Sequence, residues 1–163
     1  MLIVKSKCVS ESVGALIAVL VLVSMSLNCN VLLKRPPFTT VPPNKADLVG
    51  TWVPDASTLK EMSSKGGYDS SVKTALVLRN DGTFELSNMP DWWNTAFSES
   101  NSKFNQYSGR WSISQHDSQF WHLTLEWTVA ARVVDLFGQH PPHQIAFRIG
   151  DPDNDRWMVF QKQ

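Results

Sequence analysis

From Ala46 onward, apolar and polar side chains alternate in short runs bounded by Gly, Asn, Asp and Pro. That is the period of half-buried antiparallel strands. Seven such runs are legible. Leu48 to Val53 puts Leu48, Gly50 and Trp52 on one face, and Thr74 to Arg79 groups Leu76 with Leu78. Asn80-Asp81-Gly82 supplies the left-handed residues of a tight hairpin, and Thr83 to Ser87 answers with Phe84 and Leu86. Tyr107 to Ser114 aligns Tyr107, Gly109, Trp111 and Ile113, while Gln119 to Val129 aligns Trp121, Leu123, Leu125 and Trp127. Ile145 to Ile149 and Trp157 to Gln161 complete the set.

Only one segment has a clear helical pattern. Over Asp55 to Ser64, Asp55 can cap, Thr58 and Glu61 have capping-box spacing, and Leu59 with Met62 form an apolar stripe. Such a helix is too short to stand alone and is expected across one end of the sheet. Ala130 to Phe137 fits either a helix or an eighth strand. Strands joined in sequence by hairpins favour an antiparallel sheet, and closing it removes its edges. The expected fold is therefore all-β, an up-and-down β-barrel of 7-8 strands with one short helix.

The text before Ala46 has a different character. Lys5 and Lys7 precede an apolar run from Val13 to Leu27 that ends at Asn28-Cys29-Asn30. Residues 1-29 thus read as a signal peptide or a membrane anchor. The run is shorter than the roughly 17 to 25 residues that span a bilayer, which favours cleavage over retention. Cys29 stands where bacterial lipoprotein signals place the lipid-bearing thiol, although Ser26-Leu27-Asn28 departs from their usual preceding residues. Residues 30-45 contain Pro36-Pro37 and Pro42-Pro43 and read as an extended linker, which leaves the domain at 46-163. The expected location is extracytoplasmic and membrane-associated through the N-terminus.

Both cysteines, Cys8 and Cys29, precede the domain, so its fold rests on no disulfide. Five of the 15 basic but one of the 15 acidic side chains lie before Ala46, leaving the domain mildly acidic. A nucleic-acid partner has no electrostatic footprint there. Lys34 and Arg35 read as solvated linker charges.

Three words carry a resemblance: Leu48-Val49-Gly50-Thr51-Trp52, Asn80-Asp81-Gly82-Thr83-Phe84 and Ser108-Gly109-Arg110-Trp111-Ser112-Ile113. Together they resemble the lipocalin-like domains of bacterial exported proteins, in the wider calycin group. The resemblance implies that Gly50 and Trp52 form a Gly-x-Trp motif with the indole at the barrel base and a late cation, Arg148 or Arg156, over it. Classical lipocalins also carry a Thr-Asp-Tyr word, and fatty-acid carriers an Arg-x-Tyr; both are missing from this sequence.

Candidate chemistry is sparse. Asp91-Trp92-Trp93-Asn94, followed by Phe97, lies between strands, where Trp92, Trp93 and Phe97 are expected to bind a ligand or a partner. His122 and Glu126 share a face of one strand, but residues four apart on a strand lie about 13 Å from each other, too far for proton exchange; a solvated outer face is expected there. His116, His122, His140 and His143 lack the convergent spacing of a zinc site. Asp151-Pro152-Asp153-Asn154-Asp155 begins like a calcium loop, then places Arg156 where Gly is required and Lys162 where Glu is. No metal or cofactor is expected, and no catalytic motif is legible. The reading is a non-enzymatic binding module, for an apolar small molecule in a hollow barrel, or alternatively an interaction or inhibitor module with a filled barrel and exposed Trp residues.

Overall fold

The computed structural model describes residues 37–64, 68–69, 71–94, 102–116, 119–150 and 156–163, all within one compact unit, Pro36–Gln163. Eight antiparallel strands close into a barrel in simple chain order, each hydrogen-bonded to the next and the last to the first. They are β1 (Gly50–Pro54), β2 (Ala75–Leu78), β3 (Thr83–Pro90), β4 (Phe104–His116), β5 (Phe120–Trp127), β6 (Ala130–Phe137), β7 (Gln144–Arg148) and β8 (Trp157–Lys162). Segment Ala130–Phe137 is thus a strand. A four-residue helix, α1 (Lys45–Leu48), precedes β1, and α2 (Ala56–Ser64) follows it.

Hairpin chemistry explains the order. Gly82 has φ +82, Arg79 N–H donates to the Thr83 carbonyl and Gly82 N–H to the Arg79 carbonyl to close the turn, and Thr83 N–H donates to Asp81 Oδ1 at 2.9 Å. The register then places Leu78 opposite Phe84 and Leu76 opposite Leu86, so both inner rows match. A bulge between Leu86 and Met89, with Asn88 at φ 54, shifts the alternation and bends the end of β3 over the barrel. Asn88 is held there by its Nδ2 donating to the Lys73 carbonyl and by its own carbonyl accepting from Thr74 Oγ1.

One end of the barrel is closed by the residues around Trp52. Its side chain is 0% exposed, and its indole N–H donates to the Leu48 carbonyl at 2.8 Å, which ties α1 across the floor. The cation over this ring is Lys162, 6.0 Å from the centroid, and not Arg148 or Arg156. Strand register explains the substitution: Lys162 is the direct partner of Trp52 across the β1–β8 seam. Gly50 suits its place because its φ of +141 is a backbone conformation that L side chains rarely adopt, while the Lys162 Cε that a Cβ would meet at 2.8 Å belongs to a flexible side chain that can give way.

The proline-rich segment is only partly a spacer. From Pro37 it runs along the barrel, where Thr39 N–H donates to the Leu136 carbonyl and the Thr39 carbonyl accepts from Trp121 N–H. It therefore wedges between β5 and β6 where these strands part. Gln139 adds side-chain bonds to Thr40 and Phe38. The residues from Pro37 onward thus share one compact unit with the barrel. Unpaired backbone groups on two diverging strands recruit this strap, although it has no apolar period of its own.

At the opposite end, Asp55 caps α2 by accepting from Thr58 N–H at 2.7 Å, as expected, but Glu61 pairs with Arg156 and takes no part in a capping box. Where β1 stops pairing with β8, α2 takes over: Val159 N–H donates to Thr58 Oγ1, and the Val159 carbonyl accepts from Asp55 N–H. Among the described residues no helix is long and apolar enough to cross a membrane. The apolar run at 13–27 and Cys29 lie outside the described residues.

Candidate functional site

The inward-facing side chains of the barrel divide into two sets. Leu76, Leu86, Leu123, Leu125, Val134, Ile145, Phe147, Met158 and Phe160 expose at most 1% of their surface. That small fraction includes any surface facing an internal void, so the middle of the barrel is solid. A hollow lumen is not what the strands enclose. Toward the end where β4 begins and β5 finishes, three inward-facing residues on adjacent strands are only half-buried: Tyr107, Trp127 and Arg132. They form a shallow mouth over the packed interior. Tyr107 and Trp127 have ring centroids 5.0 Å apart.

Arg132 is the unexpected member. It faces Leu125 across the β5–β6 register and shares parity with Val134 and Leu136, both buried inside the barrel. The sequence does contain the signal, since Val134, Leu136 and Arg132 are two residues apart, but it becomes readable only once Ala130–Phe137 is known to be a strand.

Beside this mouth lies the Asp91–Asn94 segment, a single 3-10 turn at the end of β3. Trp93 reaches inward and touches three strands at once. Its ring centroid is 6.0 Å from Tyr107 and 5.3 Å from Phe147, and the Arg132 guanidinium lies 5.3 Å away over the indole. Trp92 turns the other way and packs edge-on against Tyr68, which also meets Phe104 and donates to Asp91. Both indoles are buried, Trp92 5% and Trp93 3% exposed, because a 3-10 turn points successive side chains to different flanks. An exposed tryptophan pair is therefore corrected to a buried one. Trp93 Nε1 is buried with no acceptor among the described residues. Phe97 lies outside the described residues.

A second polar cluster sits on the outer face and was missed in the sequence. Asp135 is 7% exposed, with Oδ1 3.1 Å from His122 Nδ1 and Oδ2 accepting from Trp157 Nε1 at 2.8 Å and Arg148 at 3.4 Å. The register pairs His122 directly with Asp135, so its acidic neighbour is across the ladder, while Glu126 is exposed. Phe38 of the strap, with Phe120, Phe137 and Trp157, forms an aromatic cover over this face. That cover is why His122 is buried and not solvated. Arg148, which also lies 5.5 Å over Trp157, serves this cluster and not the barrel floor.

Burial of Asp135 opposes its ionisation, yet hydrogen bonds from His122 and Trp157 and the charge of Arg148 hold its carboxyl below the usual range. A folded-state value below the unfolded one adds stability that is present above about pH 3.9 and lost as pH falls through the folded value. Asp135→Asn is therefore expected to flatten the acid limb of the stability profile. Urea midpoints of both proteins at pH 7 and pH 3 check it; an equal loss in the two would refute the assignment.

Elsewhere, His143 is buried and donates through Nδ1 to the Gly138 carbonyl at 3.0 Å, and His140 is exposed. No three His, Cys, Asp or Glu side chains converge among the described residues. The fold and the mouth define a class: a small up-and-down antiparallel barrel with a solid interior and an aromatic, arginine-bearing end. Compared with family models, with curated proteins and with solved structures, the chain finds no match in any of the three.

Proposed function

We propose that this is an exported, membrane-tethered, non-enzymatic binding module of lipocalin-like type, which receives an apolar small molecule at the end of the barrel marked by Trp93. The observation that carries the reading is the half-buried trio Tyr107, Trp127 and Arg132, turned inward above an interior that water does not reach. Inward-facing aromatic surface left partly open, with one polar group beside it, is the usual composition of a small-molecule site. The ligand sits at the mouth and not in a lumen. Tethering rests on the apolar run at 13–27 and on Cys29, whose thiol is the candidate lipid attachment point.

A second reading, a partner-docking module with a filled barrel, is favoured by the solid interior. Its contact surface would be the β5–β6 hairpin, where Val129 is 85% and Val133 54% exposed, since Trp92 and Trp93 are buried.

Titration of the full chain with the neutral apolar dye Nile red, followed by dye emission, separates the two. Saturable binding near one dye per chain, weakened at least about tenfold by Trp127→Ala, is expected for the mouth, since truncating a buried aromatic contact costs about 1.4 kcal/mol or more. Binding that is absent, or unaltered by Trp127→Ala, would sink the small-molecule reading.

A further inference from the structure

We infer that the wall of the barrel along β6, from the strap to the tip of the β5–β6 hairpin, rests on a lipid bilayer, with Val129 and Val133 at the boundary between head groups and acyl chains; this rests on the tethering reading above. The outward row of β6 is Ala131, Val133, Asp135 and Phe137, alternating with the inward Val134 and Leu136. Asp135 and Phe137 are buried, and the Phe38 ring packs on Phe137, so what remains exposed of the row is Ala131 and Val133, with no charge. The turn beyond it, Thr128 and Val129, and the neighbouring Ala130 are exposed and uncharged as well. Among the described residues the exposed large apolar side chains are Leu59 and three valines: Val129 and Val133 on this hairpin, 85% and 54% exposed, and Val41 directly after the strap. Such residues need no explanation when scattered singly, but a run of them along one strand and its turn asks for a cover.

The chain supplies the reason to name that cover as lipid. Its apolar run ends at residue 27, and the strap begins at Pro37, whose carbonyl accepts from Gly138 N–H just past the end of β6. The ten residues from 28 to 37 reach at most about 36 Å, and the eight residues of β6 cover about 26 Å. A bilayer that holds the run is therefore within reach of the whole row, tip included. Elsewhere the outward rows carry exposed charge, as at Glu85 on β3 and Arg110 on β4, and the floor end bears exposed Lys45, Arg79, Asp81 and Lys162. Contact through β6 takes apolar surface out of water and leaves those charges solvated, whereas contact through the floor does the reverse. Glu126 on β5 and Arg148 on β7 flank the row with opposite signs, so the contact does not depend on anionic lipid.

The test attaches one NBD fluorophore at a time to the full chain in phosphatidylcholine vesicles, at Val129→Cys, Val133→Cys, Glu85→Cys on β3 or Asn80→Cys at the floor. Cys8→Ser and Cys29→Ser keep the labelling single and leave the apolar run intact, and circular dichroism confirms the fold. Nitroxide-labelled acyl chains are expected to quench positions 129 and 133 severalfold more than 85 and 80, with or without added phosphatidylglycerol. Equal quenching at all four positions, or the strongest at 80, would overturn the assignment of this wall and leave the tether standing. Quenching that requires phosphatidylglycerol would put charge in place of apolar contact and defeat the assignment too. So would a probe at 129 that is shielded from soluble iodide yet untouched by the nitroxide lipids, since protein would then cover the valines. A chain that does not float with the vesicles would remove the tethering reading itself, and the wall assignment with it.

Discussion

Trp52→Ala is expected to cost the barrel about 3–5 kcal/mol, the range for removing a large aromatic side chain from a packed core. The indole is 0% exposed and stands between the inner rows of β1 and its neighbours, with Leu76 as its direct partner on β2. Two further losses accompany the void. The Leu48 carbonyl loses the indole N–H that holds α1 over the floor, and Lys162 loses the ring on which its stem rests. Trp52→Phe keeps most of the apolar surface and is expected to cost about 1–2 kcal/mol, chiefly for the orphaned carbonyl. Urea denaturation of both variants beside Val129→Ala, a change at an exposed position, measures the ordering. A midpoint for Trp52→Ala as close to the parent as that of Val129→Ala would show that the floor is not built on this indole.

Gly109→Ala is expected to be nearly as damaging, about 3 kcal/mol or more, for a different reason. A Cβ at position 109 would fall 1.9 Å from the Glu126 carbonyl oxygen and 3.1 Å from Trp127 Cα. Both obstacles are backbone of β5, so no rotamer change relieves the clash; β4 and β5 would have to separate where their register begins at Arg110 and Glu126. Because Tyr107 and Trp127 flank this point, the variant that folds is expected to show a disturbed mouth as well. The thermal midpoint and Nile red binding of Gly109→Ala test both parts together. A parent-like midpoint would mean that the strands do not approach this closely in solution.

Much of this architecture is visible in period and punctuation. Runs such as Leu123, Leu125 and Trp127 alternate because each is inward in a strand with one wet face, and Asn80-Asp81-Gly82 marks its hairpin by backbone chemistry alone. Alternation fails where both faces are covered. Val134, Asp135, Leu136 and Phe137 are consecutively buried, the first and third inside the barrel and the others beneath strap and aromatic cover, so that stretch reads as well for a helix. That ambiguity hid Arg132 as well, since its side of the sheet follows from strand parity. The Asp135 cluster joins residues 13 and 22 apart on nearby strands, the strap contacts lie almost 100 residues apart, and the partnership of Thr39 with Leu136 leaves no local trace. Trp92 and Trp93 stand out by composition, but a sequence does not say whether an indole between strands faces water or a neighbouring ring.

Seven of the eight strand pairings join segments that follow one another along the chain, and only the β1–β8 seam spans the whole circle. That seam is three register pairs long, and one of its residues, Pro54, has no N–H to offer. Local hairpins pay a small loop-closure entropy, whereas joining the two ends of the ribbon unaided costs more. Zipping the intervening hairpins first shortens the effective loop, so the circle shuts last and unfastens first. The ring of strands is thus a curling ribbon whose clasp is Trp52 meeting Lys162.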